Sequence, residues 1–208
     1  MGAAASKLER LARLFTTIVV GDWQGLRDVR LSAPSGEPDR GWREALLQAH
    51  VFAGFPRVVE ALDVLEEAGG LGALEPGEAL AEDEQPARGR ELFERIYAEH
   101  APRVRAFLER GHPDFARWIE GHAYGRILSR PGLSAAEREL LAVCALAALG
   151  QERQLVSHVR GALRCGAQPH DVRQVLNATR ACIGVERCDA ALRIAERVAS
   201  RESRERSV

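Results

Sequence analysis

The sequence predicts an all-α chain, and three observations carry that prediction. Apolar residues recur at helical spacing through most of its length. Residues that start and stop helices punctuate those runs, and no alternating strand pattern of useful length occurs.

Taken in order, Leu8, Leu11, Leu14, Phe15 and Ile18 predict a helix over 6–20, broken by Gly21-Asp22-Trp23. A short amphipathic piece follows from Trp23 to Leu31, then a loop at 32–41 rich in Pro, Gly and Ser. Ala45, Leu46, Ala49 and Phe52 line a helix from Trp42 to Ala53 that stops at Gly54, and Pro56 opens another to about Ala68. Gly69 to Gly89, with its glycines, prolines and the acidic run AEDEQ, reads as a linker. Helices are expected near 89–99, 101–110 and 113–127, and RPGL at 130–133 turns the chain. Ser134 and Glu137 form a capping-box pattern ahead of Leu140, Leu141, Val143, Leu146 and Leu149, with Gly150 as the stop. A helix carrying Leu155, His158, Val159, Ala162 and Leu163 begins almost at once and ends near Gly166. So short a link makes these two helices antiparallel neighbours. Helices at 168–183 and 186–201 finish the chain, before a tail, SRERSV, expected to fray.

Composition narrows the function. The chain has 208 residues, 46% of them hydrophobic, and a formal net charge of −1, which disfavours a general polyanion binder and so nucleic acid. All but one of the 29 basic residues are arginine, the exception being Lys7. Arginine suits carboxylate or phosphate recognition, although a biased codon usage gives the same count. No apolar run approaches the roughly 20 residues of a membrane span, and the start lacks the basic-then-apolar order of a signal peptide. MGAAAS fits the loose N-myristoylation pattern at Gly2 and Ser6. Four cysteines in a chain this long make no disulfide framework, so reduced thiols and a cytoplasmic protein are expected.

An internal repeat organises the two halves. At an offset of 130 positions, residues 43–62 lie over 173–192, matching Arg43 with Arg173, Leu46 with Leu176, Gly54 with Gly184 and Arg57 with Arg187. Extended backward, Glu9 falls on Glu139, Leu11 on Leu141, Arg30 on Arg160, and Asp28 on His158. The reading is two copies of one helical unit, the first degenerate: residues 1–68, a linker at 69–89, and a second domain at 90–202.

The chemistry concentrates on the central helix pair. Its geometry brings Glu139 near His158, with Arg160 two residues further on, which is a set a small acid-base site can use. Arg160 also has a structural reading, as a partner of Glu139 or Glu152. Cys144 and Cys165 sit on apolar faces, Cys182 and Cys188 fall over Phe52 and Val58, and His50 falls over Arg180; all five read as structural. His112, His122 and His170 have no ligand-like spacing with carboxylates, so no metal is expected. The Arg and Glu run at 193–206 reads as a solvated face.

RPGLSAAERELLAVCALAALGQERQLVSHVRGALRCGAQPHDVRQVL resembles the carboxymuconolactone decarboxylase family, within the alkylhydroperoxidase D-like superfamily. AYGRILSRPGL is similar to the segment that precedes the family's core helices, and HVFAGFPRVVEAL resembles its closing helix pair. The resemblance implies an alkylhydroperoxidase D-like helical bundle and a homo-oligomer. Alkylhydroperoxidase D-type members carry a Cys-x-x-Cys pair before the histidine, where this chain has Gln151 and Gln154, so the thiol–disulfide chemistry of that branch lacks its nucleophile. The decarboxylase branch implies acid-base decarboxylation of a small carboxylated lactone or oxo acid without a cofactor. His158 would be the proton donor and acceptor, and Glu139 would orient it. Arg160 and Arg130 would hold carboxylates, and Tyr124 would supply a hydroxyl. A thiol-based antioxidant enzyme and a catalytically silent scaffold are the alternatives.

Overall fold

The computed structural model describes residues 5–79 and 85–205. Gly2 with its acylation pattern, most of the acidic run at 81–85 and the end of the tail at 206–208 lie outside the described residues. Described residues form helices and turns without a strand.

Helix α1 (Lys7–Val20) starts where the Ser6 hydroxyl accepts from the Glu9 amide while the Glu9 carboxylate accepts from the Ser6 amide, and it ends on left-handed Gly21. Helix α2 (Trp23–Leu31) is capped by Asp22. Helix α3 (Arg40–Glu67) joins the two helices expected on either side of Gly54, whose φ of 78° and ψ of 165° bend it there. Segment 69–79, expected to be a linker, is tied down rather than loose. Arg43 forks onto Glu78 with bonds of 2.8 and 2.6 Å, holding that carboxyl down at about 2. Helix α4 runs over Gln85–Tyr97, beginning inside the segment read as linker.

Helices α5 (Ala101–Gly111) and α6 (Pro113–Trp118) follow, and then Ile119–Leu128 widens into a π-helix in place of the expected α-helical turns. The Ser129 amide reaches back five residues to the Tyr124 carbonyl, 3.0 Å away. Two glycines permit the close docking of α4 here: a Cβ on Gly89 would lie 2.7 Å from the Gly125 backbone, and one on Gly125 the same distance from the Gln85 carbonyl.

Helix α7 (Ala135–Leu149) is apolar on all sides because it runs through the core, packed by α1, α3, α8, α9 and α11. Its caps repeat those of α1, with the Ser134–Glu137 box at one end and left-handed Gly150 at the other. Helix α8 (Glu152–Arg164) returns antiparallel beside it as expected. Helices α9 (Pro169–Ala178) and α10 (Arg180–Ile183) replace the single helix expected at 168–183. They part at buried Thr179, whose hydroxyl donates to the Leu176 carbonyl. Helix α11 (Val185–Glu205) closes the chain. One apolar core takes residues from α1, α2, α3, α7, α8, α9 and α11, and a second, smaller cluster joins α4 and the π-helix to Cys165.

Glu9 is the third residue of α1 as Glu137 is of α7, and each closes a capping box with the serine three residues before it. Gly54 and Gly184 do share a backbone conformation, with φ of 78° and 83°.

Candidate active site

Glu139 and His158 meet. The Nδ1 of His158 on α8 lies 2.9 Å from Oε2 of Glu139 on α7, and the Glu139 side chain is 1% exposed. Two features of α8 allow this. His158 and Gly161 share a helix face at i and i+3, and Gly161 leaves the space that the carboxylate occupies: a Cβ there would lie 2.4 Å from Oε2. The carboxylate accepts, so Nδ1 carries the proton and the neutral ring presents Nε2 as an acceptor. Burial alone would lower the pKa of His158, but the negative Glu139 and its hydrogen bond outweigh it and raise the value above 6.5.

Oε1 of Glu139 is buried and has no hydrogen-bond partner among the described residues. A buried carboxylate oxygen is expensive to leave unpaired, so an orphan here marks a place where polar contact is reserved.

One ring stands against the pair, and two phenols are bonded to each other. Phe52 of α3 stands edge-on to the His158 ring at 6.3 Å. Tyr124, from the π-helix, is 3% exposed and donates its hydroxyl to the Tyr97 hydroxyl over 3.0 Å. Burial raises the pKa of both phenols, and the negative charge of Glu139 acts on each in the same direction. Tyr124, singled out from sequence, has Tyr97 as its hydrogen-bond partner; Tyr97, Phe52 and Gly161 were missed. Only Gly161 had a sequence signal, as a glycine in the middle of an amphipathic helix.

The two arginines are engaged elsewhere. Arg160 Nε contacts Glu202 Oε1 at 2.7 Å, a partner different from either glutamate expected, and Glu202 is 6% exposed, so the run at 193–206 is not wholly solvated. Arg130 forks onto fully buried Glu44 with bonds of 2.9 Å and also reaches the Glu78 carbonyl. Arg138 completes that knot, bonding Glu44 at 2.7 Å. The contacts of Arg130 and Arg160 are with these partners and not with Glu139 or His158.

Of the thiols, Cys165 is near enough to feel Glu139; burial first, and that charge second, push it up to about 11. Burial also raises Cys144, Cys182 and Cys188, and all four are free thiols. His50 and His122 meet across α3 and the π-helix, Nε2 to Nε2 at 2.7 Å, and burial, with His50 second, lowers the pKa of His122. Among the described residues no group of three or more His, Cys, Asp or Glu side chains is placed to hold a metal ion, and no helix is long and apolar enough to cross a membrane.

Residues 113–197 match the model of the carboxymuconolactone decarboxylase family. The chain is 28% identical over 120 residues to 4-carboxymuconolactone decarboxylase from Acinetobacter baylyi, across 57% of this chain and 90% of that one. It is 31% identical over 140 residues to Peroxisomal protein 2 from Schizosaccharomyces pombe, across 65% of each chain, so it spans just under two thirds of that relative.

Proposed function

We propose, from the match of residues 113–197 to the model of the carboxymuconolactone decarboxylase family, that this chain is a cofactor-independent decarboxylase of a small carboxylated lactone or oxo acid. The observation that carries the reading is the His158–Glu139 pair, 2.9 Å apart, whose carboxylate is buried and keeps one oxygen unpaired among the described residues. Glu139 fixes Nδ1 and stabilises the imidazolium, which leaves Nε2 to face a substrate. When the C–CO2 bond breaks, carbon dioxide leaves and its electron pair passes into the conjugated carbonyl system. The Nε2–H proton then returns to carbon, and neutral His158 recovers its proton from water. Its pairing with Glu139 raises the pKa of His158, which favours the acid form.

The same reading includes the parts of the sequence analysis that extend past this pair. Arg160 and Arg130 would serve substrate carboxylates by leaving Glu202 and Glu44, and Tyr124, bonded to Tyr97, would supply its hydroxyl. Residues 1–68 are taken as a degenerate first copy joined through 69–89 to a domain at 90–202, in a homo-oligomeric, cytoplasmic protein. A thiol mechanism has less support, since the thiol nearest the pair is pushed up to about 11 and stays protonated at neutral pH.

Assays of carboxylated lactones with the wild type, His158→Ala and a variant lacking all four cysteines test the reading. Turnover lost in the first variant and kept in the second is expected. Hydroperoxide turnover that vanishes with the cysteines would favour the antioxidant alternative, and no turnover of any acid would favour a scaffold.

A further inference from the structure

We propose that the cleft between α5 and α8 binds a small aromatic phosphate ester, a nucleoside diphosphate being the minimal example. The cleft encloses about 460 Å³ and is floored by Ile96 and Tyr97 of α4. Its α5 and α4 walls lie before residue 113, outside the residues that match the family model. The inference does not depend on the decarboxylase reading.

Charge is the first argument. Arg103 and Arg110 line one wall, and Arg153, Arg160 and Arg164 the other. Arg160 and Arg164 share Glu202, and Arg164 also reaches Glu99. No carboxylate partner is present for Arg103, Arg110 or Arg153 among the described residues, so the cleft keeps an excess of about three positive charges in a chain whose net charge is −1. Guanidinium groups gathered in a concave wall repel one another until an anion joins them.

Spacing is the second. Arg103 and Arg110 stand at i and i+7 on α5, and Arg153 and Arg160 at i and i+7 on α8. Each pair therefore shares a helix face with its members about 10 Å apart along the axis. That separation suits an extended polyanion better than a compact dicarboxylate, and the guanidinium fork fits phosphoryl oxygens. The third is Phe107, which lies between Arg103 and Arg110 on the same face, is 56% exposed, and has the Arg110 guanidinium 5.9 Å from its ring centre. An exposed ring among cations offers a stacking surface to an aromatic group on the ligand.

Isothermal titration calorimetry on the full chain at low salt, with ADP, inorganic pyrophosphate and a short single-stranded oligonucleotide as probes, tests this. ADP is expected to saturate one site. Arg103→Glu and Arg153→Glu, both at exposed positions, should each weaken ADP at least tenfold with an unchanged circular dichroism melt. Phe107→Ala should weaken ADP several-fold and leave pyrophosphate unaffected. Absence of saturable binding, or binding indifferent to both charge reversals, overturns the site. Pyrophosphate binding as tightly as ADP overturns the aromatic requirement, and an oligonucleotide binding more tightly than ADP overturns the small-molecule assignment.

Discussion

Gly161→Ala is the sharpest probe of how the pair is held. The added methyl would sit 2.4 Å from Oε2 of Glu139 and 2.9 Å from Cγ2 of Ile96. Oε2 is the atom that accepts from His158, on a side chain 1% exposed, so it cannot withdraw without breaking that bond. Overpacking of this kind costs about 1–3 kcal/mol, and losing a charge-assisted hydrogen bond costs about 1.5–3 kcal/mol more. The better helix propensity of alanine returns about 1 kcal/mol. The net expectation is a destabilisation of about 1.5–5 kcal/mol from these magnitudes. Gly121→Ala is the control: a Cβ there meets nothing within 4 Å, so stability should change by no more than about 1 kcal/mol. Urea unfolding followed by circular dichroism gives the stabilities, and NMR titration of the His158 ring reports the pair. A Gly161→Ala protein with wild-type stability and an unaltered His158 titration would refute the close approach.

Two further predictions concern buried charge. His158 should titrate above 6.5 in the wild type and below it in Glu139→Gln, where burial acts alone; NMR decides, and a wild-type value at or under 6.5 would contradict the pairing. Because folding raises this pKa, the pair stabilises fully below pH 6.5 and the contribution fades as pH rises through the folded value, so the stability gap between the two proteins should narrow in that direction. Glu44→Ala strips Arg138, 1% exposed, of its carboxylate. Denaturant melts should show a loss of about 3–5 kcal/mol, and a loss under about 1 kcal/mol would mean that the carbonyls of Arg130 and Pro131 suffice.

Local chemistry explains what was readable in the sequence. Ser6 with Glu9, Ser134 with Glu137, and the stops at Gly21 and Gly150 act within a few residues of themselves, so spacing places α1 and α7 almost to the residue. The short turn at Gly150 allows one packing of α7 on α8, and that packing puts Glu139 against His158. Other features depend on residues distant in the chain. Composition marked 69–89 as a linker, but gave no sign of the fork from Arg43, on α3, that holds Glu78 within it. Helical periodicity does not distinguish α from π, and the widening at Ile119–Leu128 occurs where two glycines let α4 press in.

The arginines separate the two levels most clearly. Sequence alone determined an all-helical chain and a carboxylate–imidazole pair on adjacent helices, because each follows from contacts a few turns apart. Only tertiary structure decided which cation meets which anion. Arg130 lies 86 positions from Glu44, and Arg160 lies 42 from Glu202. A guanidinium taken out of water goes to whichever carboxylate the fold brings within reach, and no local pattern encodes that choice.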